Sequence, residues 1–275
     1  MTTITLIGAG GKMGFRLSAN LANSDLKVRH VEVSEVGRKR LSDELGLTCV
    51  EAGEALDGAD VVILAVPDTL IGKISHGLEP LLKSGTMVVV LDAAAPFAGH
   101  LPDRADLTYF VTHPCHPPIF NDETDLEAKR DYFGGSKARQ GVVNSLMQGP
   151  EEAYELGEEI SRIIYAPVSD CYRVTVDQMA LLEPGLSETV CATLLATMRE
   201  AMDEVVSRGV PKEAARAFLL GHMNILAAVI FDEIEGAFSD ACNKAIEFGK
   251  PELIQPDWKK IFEPEALAAS IQRIT

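Results

Sequence analysis

The sequence predicts an α/β fold in which a doubly wound parallel sheet is followed by an all-helical domain. Three observations carry this expectation. Short apolar strands alternate with helical patterns from Thr3 to Ile164; the strands are apolar at nearly every position, as strands covered on both faces are; and the strand grammar stops near Val174.

Each element has its own signal. Thr3 to Ile7 is a β-branched run ending in glycines, and Met13, Leu17 and Leu21 at spacing four mark the helix that follows. Val28 to Val33 reads as the second strand, Arg38 to Leu45 as a helix, Val61 to Val66 as a strand, Leu70 to Leu82 as a helix, and Met87 to Leu91 as a strand. Tyr109 to Thr112 and Gly141 to Met147 add further strands. Pro150-Glu151-Glu152 then opens a helix reaching Ile164, with proline and acids in its first turn. Beyond Val174, apolar residues recur every four positions from Leu186 through Val190, Leu194, Met198 and Met202 to Val206, and Gly209 with Pro211 ends that helix. Pro211 starts another helix, which contains the most apolar stretch of the chain, Phe218 to Phe231. The expected domains are therefore 1–174 and 175–275. The apolar stretch is shorter than the roughly 20 residues of a membrane span and contains His222 and Asn224, so it is expected to be buried. A helix apolar around most of its circumference needs a partner surface, which predicts a homodimer through the C-terminal helices.

Composition narrows the function classes. The chain has 275 residues, with 41 Asp and Glu against 25 Lys and Arg, a formal charge of −16. Such a surface repels phosphodiester backbones and anionic lipid, so neither nucleic acid nor membrane is an expected partner. The N-terminus lacks a basic segment before an apolar run and is not read as a secretory signal. The five cysteines are scattered without a C-x-x-C pair, which argues against a disulfide framework or thiolate zinc site and for a reducing cytoplasm.

Between the first strand and its helix stands Gly8-Ala9-Gly10-Gly11-Lys12-Met13-Gly14. Glycines there permit a tight turn, close approach of backbone N–H groups to a pyrophosphate and helix-strand packing, so this is read as a Rossmann-type dinucleotide turn. The register is open: Gly8, Gly10 and Gly14 give G-x-G-x-x-x-G, while a register ending at Gly11 and Gly14 puts Ala9 at the first glycine. A phosphate-binding P-loop is excluded because Met13, not Ser or Thr, follows Lys12. Glu32 at the end of the second strand can accept from adenosine ribose hydroxyls and favours NAD; the alternative places Ser34 there, with Arg38, Lys39 and Arg40 taking a 2′-phosphate. Pro67 and Asp68 end the third main strand, where the nicotinamide half would lie, and the small residues after Asp92 let a ligand approach.

Two further segments carry chemistry. His113-Pro114-Cys115-His116-Pro117-Pro118 places two imidazoles on a proline-stiffened loop, as metal ligands or as an acid/base group, followed by the acidic Asn121-Asp122-Glu123-Thr124-Asp125. Glu183-Pro184-Gly185-Leu186-Ser187-Glu188 offers two carboxylates, Glu183 and Glu188, for a divalent cation or as a base, with Gln178 able to line the same face. Lys129, Arg130, Lys137 and Arg139 are the basic residues available to an anionic substrate.

The glycine turn, the strand Ala59-Asp60-Val61-Val62-Ile63-Leu64-Ala65-Val66-Pro67 and the helical C-terminal half resemble the 6-phosphogluconate dehydrogenase-like superfamily, which also holds β-hydroxyacid dehydrogenases, prephenate dehydrogenase and ketol-acid reductoisomerase. The His113–Pro118, Asn121–Thr124 and Leu182–Glu188 motifs more specifically resemble the D-apionate oxidoisomerase family over essentially the whole chain. That resemblance implies oxidation of the branched sugar acid by NAD at the carbon bearing its 2-hydroxyl, then an α-ketol rearrangement to 3-oxo-isoapionate assisted by a divalent cation, Mg²⁺ being expected. It makes His113, His116 and Glu183 the candidate metal ligands, with His116, Glu183 and Glu188 the candidate catalytic groups. The chain departs from ketol-acid reductoisomerase where that enzyme's helices carry metal-binding carboxylates, since the stretch here reads Phe218-Leu219-Leu220-Gly221-His222-Met223-Asn224. The lysine base of β-hydroxyacid dehydrogenases has no counterpart near Gln178. A plain NAD(P)-dependent dehydrogenase and a catalytically inactive NAD sensor are the competing expectations.

Overall fold

A computed structural model describes residues 2–275. Seven strands form one sheet, β1 (Thr3–Ile7), β2 (Lys27–Val31), β3 (Val61–Leu64), β4 (Met87–Val90), β5 (Thr108–Pro114), β6 (Gln140–Gln148) and β7 (Val168–Arg173), in the order β2-β1-β3-β4-β5-β6-β7. Along β3, Val61 and Ile63 enter one core with Leu17, Leu21 and Phe110, while Val62 and Leu64 enter the other with Ile71, Leu101 and Tyr109. Burial on both faces is why the strands read as unbroken apolar runs. The chain leaves β1 for β2 on one side and returns to β3 on the other, so β1 and β3 are neighbours whose connections diverge. In open α/β sheets this switch point is where ligands bind, beyond the strands' carboxyl ends.

The helices are α1 (Lys12–Ala22), α2 (Glu35–Leu45), α3 (Ala52–Leu56), α4 (Asp68–Leu78), α5 (Ala94–Phe97), α6 (Ala153–Ile164), α7 (Val176–Ala180), α8 (Thr193–Ser207), α9 (Lys212–Ile230), α10 (Asp240–Leu253) and α11 (Pro264–Ile271). Sequence patterning missed α3, α5, α7, α10, α11 and β7. The last, Val-Ser-Asp-Cys-Tyr-Arg at the sheet's edge, has only Val168 and Cys171 turned to the core and is otherwise exposed. The parallel expectation fails at one pair: β6 runs antiparallel to β5. Residues 115–139 contain no helix longer than three residues, so the chain has no crossover able to bring a parallel strand back.

Two compact units result. One runs to Glu183 and takes in Ala268–Thr275; the other is Pro184–Leu267. The division therefore falls after Glu183 rather than at 174, because β7 is a strand of the sheet and α7 packs against α5 and β6. Residues Leu181–Ala192, which include the start of the helix expected from Leu186, are π-helical with Pro184 inside. A proline has no N–H for the i−4 carbonyl, and widening the turn accommodates that loss.

Within the second unit, α8 has no buried residue and α9 only Ala215 and Ala228. The burial expected for Phe218 to Phe231 is thus absent within the chain: Phe218 is 69% and Phe231 71% exposed. By length and composition, helices 176–207 and 212–230 would also suffice to cross a membrane.

Candidate active site

The glycine turn lies at the switch point. Gly8 has φ +78°, and a Cβ there would strike the Ala65 carbonyl at the end of β3. A Cβ on Gly10 would come within 2.6 Å of Gly37 Cα, and one on Gly14 would strike the Gly8 carbonyl, whereas at Gly11 the nearest atom is 3.4 Å away. Sterics therefore select Gly8, Gly10 and Gly14 as the register. Gly11 is the N-cap of α1, and Lys12 and Met13 open its first turn. Glu32 is buried; its two oxygens accept from Gly10 N and Ser34 N, both at 2.8 Å. It clamps the turn to the start of α2 and retains acceptor capacity for a ribose. Ser34 caps α2, accepting from Gly37 N, while Arg38, Lys39 and Arg40 pair with Glu51, Asp43 and Glu44. The residues weighed for a 2′-phosphate are thus already engaged.

Asp92 just past β4, His113 in the last residues of β5, and Glu183 offer ligating atoms that all lie within 4.8 Å of one another. His113 Nδ1–H donates to the Leu91 carbonyl at 2.8 Å and its Nε2 is 3.0 Å from Glu183 Oε2, with Asp92 Oδ2 3.5 Å from Nδ1. Burial alone would lower the His113 pKa, but the hydrogen bond and charge of Glu183, the charge of Asp92 and the Leu91 carbonyl outweigh it and push it up to about 9. Burial opposes ionisation of Glu183 too, and its contacts with His113 more than offset this, holding its carboxyl below the usual range. Burial pushes Asp92 up; burial and the neighbouring Asp92 push Asp68 up to about 6. Two carboxylates and an imidazole, with the imidazole's far nitrogen fixed by a carbonyl, are a donor set that fits a divalent cation.

His116 does not join this group. Its φ is +62°, its Nδ1–H donates to the Phe133 carbonyl at 2.7 Å, and its ring stands edge-on to His113 with centroids 6.1 Å apart. The left-handed backbone turns the ring beside the cluster with Nε2 left as an acceptor. Asp92 takes the place expected for His116 among the metal-ligating candidates; the signal for it was a carboxylate just past the end of an apolar strand. Glu188 is exposed and stands in the second unit, outside the group of three. Gln178 is used in a capping box with Thr175 rather than lining the site. Glu123 accepts from Arg139 N, and Lys137 pairs with Glu127. Pro67 is the N-cap of α4 and Asp68 its first residue, at the end of β3 as expected.

Comparison with known proteins decides the family. Residues 121–275 match the family described as phosphogluconate dehydrogenase (decarboxylating) C-term, and residues 3–96 match NADP oxidoreductase coenzyme F420-dependent. A protein of Cupriavidus necator named D-apionate oxidoisomerase is 72% identical over 272 residues, covering 99% of both chains. The chain belongs to the D-apionate oxidoisomerase family. A Rhizobium rhizogenes member of that name is 69% identical over the whole of both chains. A crystal structure from Cupriavidus necator, described as a semialdehyde dehydrogenase NAD-binding protein in complex with calcium and NAD, is 71% identical and superposes with a TM-score of 0.99 over 100% of each chain. An archaeal NADH-preferring ketol-acid reductoisomerase, 18% identical with a TM-score of 0.71 over 98% of this chain and 82% of its own, shares the fold of this family.

Proposed function

We propose that this protein oxidises D-apionate with NAD and rearranges the product to 3-oxo-isoapionate. The observation that carries the reading is the cluster of Asp92, His113 and Glu183 in the same unit as the dinucleotide turn. Simple dehydrogenation has no need of three convergent ligating groups, whereas an α-ketol shift needs two neighbouring oxygens held together. In the first stage carbon 2 gives its hydride to nicotinamide and its hydroxyl proton to a base. In the second, the carbon 3 hydroxyl loses its proton and becomes the ketone, the hydroxymethyl group moves with its bonding pair from carbon 3 to carbon 2, and the carbon 2 oxygen takes up a proton. His116 Nε2 would accept these protons, a role supported by the bond that ties Nδ1 to the Phe133 carbonyl. Asp92, His113 and Glu183 would hold the divalent cation, with Mg²⁺ the proposed ion, and it supplies charge stabilisation to the two oxygens when bound. Gly8, Gly10, Gly14 and the α1 N-terminus, with the backbone N–H groups of Gly11, Lys12 and Met13, would receive the pyrophosphate; Glu32 would take the ribose, with Pro67 and Asp68 toward the nicotinamide.

The test incubates purified protein with D-apionate, NAD and Mg²⁺, following NADH by absorbance and the carbon skeleton by NMR. NADH with an unrearranged skeleton would leave a plain dehydrogenase; absence of turnover on any sugar acid would leave a sensor. Because the Glu32 carboxylate repels a 2′-phosphate, kcat/KM with NAD is expected to exceed that with NADP by about a hundredfold or more, and equal use of the two would refute the ribose assignment.

Cation binding is expected to be proton-linked. With His113 pushed up to about 9, its imidazolium must lose a proton before it can ligate, so cation affinity should climb about tenfold per pH unit below that value and level off above it. Calorimetry in buffers of different ionisation enthalpy reads the released proton directly, and pH-independent binding would remove His113 from the ligand set.

The apolar face of α8 and α9 supports a homodimer. Met198, Met202, Val205, Phe218 and Leu219 line a cavity of about 470 Å³ within the second unit, and Ile230 and Phe231 are exposed beside it in sequence. Within its own length α8 carries Arg199, Glu200, Asp203 and Glu204, charges better suited to the rim of a protein interface than to lipid. Sedimentation equilibrium is expected to give twice the 29.7 kDa chain mass, and a strictly monomeric protein would exclude this face as the interface.

A further inference from the structure

We propose that Arg16 and Lys12, both placed over the ring of Phe133, form the binding site for the carboxylate of the sugar acid; this rests on the functional reading above. Almost every cation weighed for anion binding is spent elsewhere: Arg38, Lys39, Arg40, Lys137 and Arg139 all face carboxylates, and Lys129 and Arg130 end a short turn without converging on any cluster. Lys12 and Arg16 differ. They lie one helical turn apart on α1, their charged groups sit 4.8 and 4.4 Å from the Phe133 centroid, and among the described residues neither forms an ion pair. Arg16 Nε is buried with no hydrogen-bond partner. A guanidinium resting over an aromatic ring still has N–H groups for a planar, two-oxygen acceptor, which a carboxylate supplies.

The same ring places the site. Phe133 packs on His116 with centroids 4.9 Å apart and its carbonyl accepts from His116 Nδ1–H. Phe133 therefore touches both unpaired cations and the proton acceptor. An acid whose carboxylate lies against Arg16 and Lys12 has its hydroxyl-bearing carbons directed toward His116 and the neighbouring His113. Pyrophosphate has its own donors in the turn's N–H groups, so Arg16, a turn further into α1, is left to the substrate.

The experiment compares Arg16→Gln, Arg16→Lys and Phe133→Leu in the full-length protein. Arg16→Gln is expected to raise KM for D-apionate by about a hundredfold, with NAD affinity within about twofold; Arg16→Lys and Phe133→Leu should each raise KM about tenfold. Loss confined to NAD affinity, or an unchanged KM, would overturn the assignment. Should D-apionate not be turned over, calorimetry with a panel of sugar acids and their neutral lactones reads the site alone. Wild type should bind acids at least tenfold more tightly than lactones and Arg16→Gln should not; equal binding of acid and lactone by the wild type would overturn the carboxylate site.

Discussion

Exchanging Glu183 for glutamine is expected to lower kcat/KM for the sugar acid by about a thousandfold while leaving NAD affinity within about twofold. The side chain keeps its shape, so the π-helical segment should hold, and the melting temperature serves as the check on folding. What changes is charge. The carboxylate 3.0 Å from His113 Nε2 both supports the imidazolium and completes the three-ligand group with Asp92. An amide offers a neutral oxygen, so above about pH 9, where His113 is deprotonated in both proteins, cation affinity should fall by at least ten- to a hundredfold; at lower pH the return of His113 toward its ordinary range removes proton competition and narrows that difference. A variant that retained rearrangement, or lost NAD binding in parallel, would show that Glu183 does not belong to the reacting cluster.

Gly10→Ala should be nearly as damaging, by a different route. The new Cβ would need the space of Gly37 Cα, 2.6 Å away, so α1 and α2 would have to part and the Gly10 N–H would leave Glu32. Overpacking of this kind costs about 1–3 kcal/mol, and because the displaced groups are those proposed to meet the dinucleotide, NAD affinity should fall about a hundredfold or more. Gly11→Ala is the control: its Cβ meets nothing closer than 3.4 Å, so stability and NAD affinity should change little. Thermal unfolding and a fluorescence titration of NAD on the two variants test the steric choice of register; equal effects would refute it.

Much of the first unit is legible in its residues. The runs at Ile4, Val61 and Met87 are apolar on both faces because both faces are covered, and no other environment would favour that pattern in so short a strand. β7 was illegible because an edge strand need not alternate, and the reversed direction of β6 depends on what lies between strands rather than on the strand itself. The site divides the same way. His113 and Glu183 stood out as an imidazole in a stiffened loop and a carboxylate beside a proline. Asp92 did not, since an acid after a strand is common and its value lies in neighbours distant in sequence.

The order of residues alone settled the alternation of strand and helix, the place of the glycine turn between β1 and α1, and the presence of an acid after the second strand, because these depend on local backbone chemistry and on period. It took the folded chain to show that Gly8, Gly10 and Gly14 set the register, that Asp92 rather than His116 joins His113 and Glu183, that the first unit extends to Glu183, and that Lys12 and Arg16 share one aromatic ring. Those outcomes rest on distances between residues far apart along the chain, and side-chain convergence of that kind leaves no periodic trace in the order of amino acids.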